Sequence, residues 1–564
     1  MEDECTVMRV EAPFYPLESD ISRSISRVGD DVGISDDRIV GLGFEIDEEG
    51  YCRRVFSTAS PSFSIDSRSD AFLWLSTPSD AFLFSADDKW IEPILKWFGE
   101  GVVDCYQKCS EGYRLPIDYL RLQYLPDGYV SILSKGKRCK RIYCLKPFYH
   151  MSRMLSEVED AKSTRDKAIR LVSTLLTYSL PQGNMHSPGS ILQAYMSKSG
   201  VRCLSRVPKE ILDAASNCYH TKWATAFKVG SFEKAWDYDI SGAFSYHASR
   251  VQSCDPLYGK WVEGGYQASA CYGFCYAHLK LKPSLSPMMF RIMCRSLGYG
   301  RREIRQLNCC GEWDGWITKD EIDYIRDWEL GKVTTYLGYW FIPHTDFRPY
   351  EGAIGGLFKA RTAAKEEGDT FASNICKLVS LTAQGKYLSV FPMNGVLTSG
   401  YMRNPIYGSV VVSRTRLQVA EFCMLSPSDV LQVMVDGVST LKRVPAGDGI
   451  GEFRLESPKE GEECIVAGDG QYWMPSRASV LQKDTLEDYA DSSTYPSKIA
   501  ASRFTLGDVV NKMTGFESLG KMRDKYIDID IAKHVGSSQR SFIRVPEKCR
   551  DLLQNVYESE ARVI

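Results

Sequence analysis

The most informative segment of the chain is Asp237-Tyr-Asp-Ile-Ser-Gly-Ala-Phe-Ser245. Apolar neighbours flank Asp239 and small residues follow it at once, so we expect this carboxylate where a strand ends in a tight turn. A carboxylate in such a position can hold a metal ion. It can equally cap the turn or helix that follows, and the segment alone leaves both interpretations open.

A second segment has the same character and lies far along the chain. It is Leu431-Gln-Val-Met-Val-Asp-Gly-Val-Ser439, an apolar strand interrupted by Asp436-Gly437, which is a dipeptide that favours a type I′ hairpin. In isolation a plain hairpin explains it. Asp239 and Asp436 can meet only if the fold brings two strands side by side, as an antiparallel sheet does.

A helical block with basic side chains lies between these segments. It contains Arg361 and Lys365, four residues apart on one helical face, and then Lys377 and Lys386. An amphipathic helical hairpin with a solvated basic face is the ordinary explanation. The order of the three segments favours another, because nucleotidyl transfer uses carboxylates to hold a pair of Mg²⁺ ions and cations to hold a triphosphate.

Composition limits the alternatives. The 564 residues are 44% hydrophobic and 25% charged, which is typical of a folded chain with roughly three or four structural units. A net charge of −3 means that any nucleic-acid site is local. No apolar run reaches the ~18 residues that cross a bilayer, and the first residues are acidic, so we expect a soluble intracellular protein without a membrane partner. The 18 cysteines are scattered, as buried free thiols would be.

The three segments resemble the A, B and C motifs of family B DNA polymerases, especially the protein-primed group of linear-genome phages and linear plasmids. In the A motif an aspartate precedes Ser-Leu/Ala-Tyr-Pro, and the chain matches it with Asp239 and Phe244. The C motif reads Tyr-x-Asp-Thr-Asp-Ser-Ile. In one alignment the chain matches its first aspartate with Asp436 and its serine with Ser439, but it has Val438 in place of the second aspartate. An alignment shifted by two places Asp436 at the second aspartate, loses the serine and leaves Met434 at the first, so one carboxylate is missing either way.

The B motif of that family reads Lys-x-x-x-Asn-Ser-x-Tyr-Gly-Lys. The chain keeps both lysines, Lys377 and Lys386, and the glycine between them. It departs from the motif at Leu381, where the family has asparagine, and at Gln384, where the family has tyrosine.

The resemblance implies a DNA-directed DNA polymerase, a nucleotidyltransferase that uses two Mg²⁺ ions, for which Mn²⁺ could substitute. It implies metal ligation by Asp239, Asp436 and the Ile240 carbonyl. It also implies nucleotide binding by Arg361, Lys365, Lys377 and Phe244, and DNA binding by Tyr472 and Lys386. The expected partners are primer-template DNA, deoxynucleoside triphosphates and a terminal protein as primer.

The first part of the chain would correspond to the proofreading exonuclease of the family. The first exonuclease motif is Asp-x-Glu on a strand, whereas Phe44-Glu-Ile-Asp47 carries Glu45 and Asp47 in reversed order. Asp88 is the expected remnant of the middle motif. Two-metal hydrolysis needs several carboxylates, so we expect 3′–5′ exonuclease activity to be weak or lost.

The predicted fold is α/β and multidomain, with an exonuclease-like (ribonuclease H-like) N-terminal domain and a right-hand polymerase with palm, fingers and thumb. A strand is predicted at Val410-Val-Val-Ser413. The predicted divisions are an irregular segment 1–37, an exonuclease-like domain 38–150, a helical connection 151–230, palm 231–350 with an insertion, fingers 351–390, palm 391–475, and thumb and C-terminal region 476–564.

Two functions stay open at this point. The first is protein-primed replication of a linear viral or plasmid genome, which the order of the motifs favours. The second is a catalytically degenerate polymerase-fold protein that binds primer-template DNA or a replication partner, which the departures at Leu381, Gln384 and Val438 favour. Convergence of Asp239 and Asp436 on one site would favour the enzyme.

Overall fold

The structure is a computed structural model, and its described residues form two compact units. Unit A contains the described residues of 34–198 and 352–383, and unit B contains those of 206–351 and 384–477. The described ranges are 34–108, 113–117, 119–125, 129–134, 137–149, 161–182, 185, 187–198, 206–220, 223–228, 230–282, 287–298, 301–308, 311–393, 396–400, 402–468 and 471–477. The predicted segment 1–37 and the predicted region 476–564 fall almost wholly outside them.

Unit A is built on a mixed sheet whose described strands run in the order β3-β2-β1-β4-β8-β7-β6-β5. The strands are β1 (Ile39–Ile46), β2 (Cys52–Ser57), β3 (Phe63–Ser64), β4 (Phe82–Ser85), β5 (Tyr113–Ile117), β6 (Leu120–Leu125), β7 (Tyr129–Ser134) and β8 (Lys137–Cys144). The helices of this part are α1 (Arg68–Ser76), α2 (Ile91–Leu95), α3 (Glu100–Lys108), α4 (Lys146–Tyr149), α5 (Ala161–Thr177) and α6 (Pro188–Lys198). Short 3-10 turns occupy Asp36–Arg38 and Lys96–Phe98.

Helix α5 packs closely against β1 because residue 41 is glycine. A Cβ atom at Gly41 would lie 2.0 Å from the Ala161 carbonyl oxygen and 2.5 Å from the Arg165 nitrogen. Any other residue would therefore push the start of α5 away from the sheet. The contact fixes which face of β1 is covered by α5.

Unit B begins with α7 (Lys209–Asn217), β9 (Ala224–Ala226), β10 (Gly230–Ile240), α8 (Ala243–Arg250), β11 (Gly259–Glu263) and β12 (Tyr272–Leu281). It continues with β13 (Met289–Gly298), β14 (Arg301–Asn308), β15 (Gly311–Thr318), α9 (Lys319–Asp327) and β16 (Gly331–Pro343). Helices α10 (Glu351–Glu366) and α11 (Thr370–Tyr387) follow, mainly in unit A. The last described elements are β17 (Val390–Met393), β18 (Val396–Ser399), α12 (Pro405–Met424), a 3-10 turn at Pro427–Asp429, β19 (Val430–Met434), β20 (Gly437–Thr440), β21 (Phe453–Leu455), β22 (Glu462–Gly468) and β23 (Gln471–Trp473).

The central sheet of unit B has the described strand order β23-β22-β10-β20-β19-β9, and β21 pairs with the end of β10. A second sheet has the order β11-β16-β12-β15. One face of the central sheet packs on α12. The ring centroids of Tyr238 in β10 and Phe422 in α12 are 5.0 Å apart, and Phe422 stacks on Phe453 with a centroid distance of 4.0 Å. These apolar contacts leave the opposite face of β10 for polar side chains.

The strand predicted at Val410-Val-Val-Ser413 is wrong, because these residues lie in the middle of α12. The helix begins with two ordinary start signals: the Asn404 side chain accepts a hydrogen bond from the Tyr407 N–H at 3.0 Å, and Pro405 occupies the first turn. All four residues of the run are buried. A β-branched run is tolerated in this helix because tertiary packing outweighs its weak intrinsic preference for strands.

Nothing in the described part of the chain is a helix both long and apolar enough to span a membrane.

Candidate active site

Asp239 and Asp436 meet at one end of the central sheet of unit B. Strands β10 and β20 are antiparallel, and their register places Asp239 opposite Gly437. The Ile240 N–H donates a hydrogen bond to the Asp436 carbonyl at 2.9 Å, which holds the turn before β20 against the end of β10. Two segments that are distant in sequence thus contribute neighbouring carboxylates.

The turn that carries Asp436 differs from the predicted one by one position. Its two loop residues are Val435 and Asp436, because Met434 and Gly437 form the last pair of the β19–β20 hairpin. Val435 has a φ of 66°, which lies in the left-handed region that favours glycine. A positive φ is unfavourable for a β-branched residue, so this turn stores strain beside Asp436. The Val435 N–H donates to the Trp223 carbonyl at 2.7 Å, which helps to hold that conformation.

Gly437 leaves room for the Asp239 carboxylate. A Cβ atom at this position would lie 3.1 Å from the Tyr238 carbonyl oxygen and 3.5 Å from Asp239 Oδ1. A side chain would therefore occupy the space between the two strands on the face where Asp239 lies. The glycine keeps this space open next to both aspartates.

Asp239 carries an unusual charge balance. Burial and the negative charge of Asp436 raise the pKa of Asp239 to about 7, and Arg477 offsets part of that rise. A carboxylate whose deprotonation is opposed by a second carboxylate gains from a cation placed between them.

A third carboxylate, Asp237, lies two residues before Asp239 on the same face of β10. It is almost fully buried and is held by two side chains: Ser439 Oγ donates to Asp237 Oδ1 at 2.8 Å, and Arg477 Nε donates to Asp237 Oδ2 at 2.5 Å. Gln432 Nε2 donates in turn to Ser439 Oγ at 3.2 Å. Burial raises the pKa of Asp237, and Arg477 and Ser439 counter this effect. The four side chains of Gln432, Ser439, Asp237 and Arg477 thus form a continuous hydrogen-bonded row across strands β19, β20 and β10.

Tyr472 of β23 also belongs to this region. Burial and the charge of Asp237 raise the pKa of its phenol to about 12, and Arg477 and Asp239 are among the charges that act on it. Tyr472 packs on the apolar cluster that contains Ala235 and Met474. The residue predicted to contact DNA is therefore close to both aspartates of β10.

The donor set fits a divalent magnesium ion. Mg²⁺ prefers oxygen ligands, and it is commonly bound by one or two carboxylates whose coordination is completed by water and substrate phosphates. Among the described residues no group of three or more His, Cys, Asp or Glu side chains could hold a metal. Asp239 and Asp436 match the type of site that takes its remaining ligands from a phosphate substrate.

The other predicted residues of the polymerase site lie in different places. Phe244 is half-buried in the first turn of α8, just after β10. Ile240 ends β10 opposite Phe453 of β21, and its side chain is buried. Lys386 lies in the last turn of α11, in unit B, where burial lowers its pKa.

The three predicted triphosphate-binding residues belong to unit A. Arg361 and Lys365 lie on α10 and Lys377 on α11, and both lysines are exposed. The start of α11 packs on another part of unit A, because Phe371 stacks on Tyr149 with 4.9 Å between the ring centroids. The triphosphate role of these three cations stays a prediction.

The predicted exonuclease carboxylates lie at the end of β1 and in a nearby turn. Glu45 faces Arg54 of β2, with 3.6 Å between Oε2 and Nη1. Asp47 accepts hydrogen bonds from the Tyr51 N–H at 2.8 Å and from Arg53 Nε at 2.5 Å, which closes the β1–β2 turn and lowers its pKa. The Asp88 carbonyl accepts the Ile91 N–H at the start of α2. The first two carboxylates thus have structural partners, and their nuclease role stays a prediction.

The sequence analysis did not identify Asp237 or Arg477 as site residues. Asp237 could have been found, because side chains two residues apart on a strand share a face and Asp239 had already been selected. Arg477 has no such local signal, since its contact with Asp237 joins residues that are 240 positions apart.

No protein-family model matches the chain, and no curated protein matches it. Several solved structures, in contrast, match the chain. The orthorhombic crystal form of Phi29 DNA polymerase aligns with a TM-score of 0.53 at 13% sequence identity, over 77% of this chain and 86% of the other. The same polymerase with primer-template DNA aligns with a TM-score of 0.51 at 12% sequence identity, over 77% of this chain and 86% of the other. Its complex with primer-template DNA and incoming nucleotide substrates aligns with a TM-score of 0.51 at 12% sequence identity, over 77% of this chain and 85% of the other.

At this sequence identity the similarity is one of fold. It confirms, at that level, the resemblance to protein-primed family B DNA polymerases, and it extends over more than three quarters of the chain.

Proposed function

We propose that this chain, which has a fold like that of Phi29 DNA polymerase, is a DNA-directed DNA polymerase. One observation carries the proposal: strands β10 and β20 bring Asp239 and Asp436 to one end of a sheet, with Gly437 leaving space beside them. Two carboxylates on adjacent strands suit a nucleotidyl transfer centre. Solved structures of similar fold include complexes with primer-template DNA and with incoming nucleotides, which supports the same substrates here.

In this proposal Asp239 and Asp436 bind Mg²⁺ or Mn²⁺. The ions, when bound, supply Lewis-acid activation of a primer hydroxyl and charge stabilisation of the departing pyrophosphate. The mutual repulsion of the two carboxylates favours cation binding, since a cation relieves it. Tyr472 is half-buried beside Arg477 and close to Asp239, where it is available to contact the primer strand.

The remaining assignments follow from the motif resemblance. Arg361, Lys365 and Lys377 would neutralise the triphosphate, as cations do in phosphoryl transfer generally. Phe244 would lie against the sugar and exclude a ribose 2′-hydroxyl by its volume, and Lys386 would contact DNA. We further propose priming by a terminal protein, replication of a linear viral or plasmid genome, and an exonuclease site with weak or no activity.

A second candidate function is supported by Val438. This residue occupies the position of the second C-motif aspartate, and it is buried at 1% exposure in the apolar core opposite Tyr238. Its side chain therefore lies on the face of the sheet opposite to Asp239. A polymerase-fold protein that binds primer-template DNA without chemistry is the function that this substitution favours.

Primer extension distinguishes the two. The full chain is incubated with a recessed DNA duplex, deoxynucleoside triphosphates and Mg²⁺ or Mn²⁺, beside the Asp436→Asn variant and the matched control Asp327→Asn, whose carboxyl is exposed at the end of α9. We expect extension by the native chain and by the control, and a loss of at least ~100-fold in Asp436→Asn, because a metal ligand is removed. The second function, DNA binding without chemistry, would be supported if none of the three proteins extends the primer while the native chain binds the duplex tightly, as measured by fluorescence anisotropy. Extension by Asp436→Asn at the native rate would contradict the proposed catalytic centre.

A further inference from the structure

Unit A contains a cavity of about 450 Å³ on the face of its sheet that α1 covers. Its floor includes the side chains of Val40, Leu42, Val55 and Leu83, each of which is at most 7% exposed. Sites for small molecules typically have volumes of roughly 300–1,000 Å³ and walls that are mostly apolar. The size and the lining of this cavity match that class.

The cavity opens to solvent. Its rim is formed by residues before and within β3 and by the end of α1 with the loop that follows it, among them Ala59, Pro61, Leu73 and Pro78. These rim residues are exposed, and Leu73 retains 55% of its accessible surface. A molecule from solution can therefore reach the buried floor.

A buried ammonium group lies at the floor. Lys140 of β8 lines the cavity and is only 5% exposed. Its Nζ donates a hydrogen bond to the Trp74 carbonyl and lies 4.4 Å from the centroid of the Trp74 ring. Within the ranges that the structure describes, no acidic side chain forms an ion pair with Lys140. Its contacts with Trp74 leave donor capacity, because an ammonium group has three N–H donors.

An unpaired buried cation is costly, because burial removes water from the charge and nothing of opposite sign replaces it. Burial accordingly lowers the pKa of Lys140 to about 8, so the group is still mainly protonated at neutral pH. The other lining side chains are apolar or, at Ser57, Ser60, Thr77 and Ser79, neutral hydroxyls, so none of them carries a compensating negative charge. An anion that enters from the rim would do so.

We propose that this cavity binds a small organic monocarboxylate, whose carboxylate pairs with Lys140 Nζ and whose apolar body lies along the floor. Lys140 is the one cationic side chain that lines the cavity, and one ammonium group suits one negative charge. A dianionic phosphate would keep a second negative charge without a cationic partner there.

The site is separate from the predicted exonuclease carboxylates. Side chains alternate between the two faces of a strand, so Val40 and Leu42 of β1 lie on one face and Glu45 lies on the other. The cavity also belongs wholly to unit A, whereas Asp239 and Asp436 belong to unit B. The proposal therefore does not depend on polymerase activity.

Octanoate serves as the probe, and isothermal titration calorimetry on the full chain measures its binding. We expect one octanoate per chain, binding weakened at least tenfold in Lys140→Met, and unchanged binding in Lys137→Met, which alters an exposed lysine at the start of the same strand. Neutral 1-octanol, which lacks the charge, should bind at least tenfold more weakly than octanoate. Octyl phosphate should not bind more tightly than octanoate.

A second variant tests the location without touching the lysine. Ala59→Trp places a large side chain at the exposed rim and should weaken octanoate binding, while the thermal unfolding of the chain stays unchanged. The proposal is overturned if the native chain does not bind octanoate at millimolar concentration. It is also overturned if Lys140→Met or Ala59→Trp binds octanoate as the native chain does.

Discussion

Arg477→Gln should destabilise unit B, because it removes the cation that pairs with the buried Asp237. The Arg477 Nε to Asp237 Oδ2 distance is 2.5 Å, and the two side chains are 31% and 4% exposed. With an effective dielectric constant of about 20, this separation gives a gross attraction of roughly 7 kcal/mol. Desolvation of Asp237 consumes much of that attraction.

The cost of the substitution follows from what is left behind. Removing one partner of a buried ion pair typically costs about 3–5 kcal/mol, since the other charge stays buried without compensation. Arg477 is about one third exposed, so we expect the lower end, about 3 kcal/mol. Asp237→Asn should cost less, about 1–2 kcal/mol, because the guanidinium group it frees can still be partly hydrated.

The double variant isolates the pair. With both side chains replaced by amides, no charge is left buried, and we expect a coupling free energy of about 2–3 kcal/mol between the two positions. Urea-dependent pulse proteolysis with identification of fragments from unit B gives the free energy of unfolding of each variant. Arg348 and Asp346 provide the control cycle, since this ion pair in unit B is partly exposed, with Asp346 57% accessible, and should show much weaker coupling.

A coupling free energy below about 0.5 kcal/mol at Arg477 and Asp237 would refute the reasoning. It would mean that Ser439 alone satisfies Asp237, or that Arg477 is paired with water in solution. A coupling equal to that of the Arg348 control would have the same meaning.

Three further outcomes are expected. Lys140→Met should stabilise unit A by about 3 kcal/mol at pH 7, because burial lowers the pKa of Lys140 from 10.5 to about 8. This gain in the free energy of unfolding should shrink as the pH rises from 8 to 10.5, because in that range Lys140 has lost its proton in the folded chain but keeps it in the unfolded chain. Urea titrations that show the same gain at every pH would contradict this prediction. Glu321→Gln should cost unit B about 3–5 kcal/mol, since it leaves Arg416 of α12, which is 2% exposed, without its ion-pair partner; pulse proteolysis measures this loss. Val435→Asn should raise the free energy of unfolding by roughly 1 kcal/mol, because asparagine tolerates a positive φ better than valine, and an unchanged or lower value would argue against strain in the turn.

The order of chemical groups along the chain was predictable from local sequence. An aspartate at the end of an apolar strand, basic residues at helical spacing and a second aspartate in a hairpin are each visible within ten residues. Helices α10 and α11 likewise follow from their periodicity. The similarity in fold to Phi29 DNA polymerase agrees with what that order suggested.

The strand predicted in α12 shows where local signals mislead. Every residue from Pro405 to Ser413 is buried, so the alternation of apolar and polar residues that marks an amphipathic helix is absent from this half of α12, and the β-branched run dominated the interpretation. The start signals at Asn404 and Pro405 pointed to the correct element. The hairpin turn shows the same conflict: Asp436-Gly437 favours one turn locally, whereas pairing of Gly437 with Asp239 shifts the loop to Val435 and Asp436.

The sequence by itself determined which groups this protein has available: two aspartates at strand ends, a set of helical lysines and arginines, and an apolar chain long enough for several cores. Only the tertiary structure decided which of these groups meet. It joined Asp239 to Asp436 and paired Asp237 with Arg477 across 240 positions. It also buried Lys140 against Trp74, with no acidic ion-pair partner among the residues that the structure describes. The reason is physical, because strand register and burial are set by the packing of whole sheets, and local propensity carries no information about partners so distant in the chain.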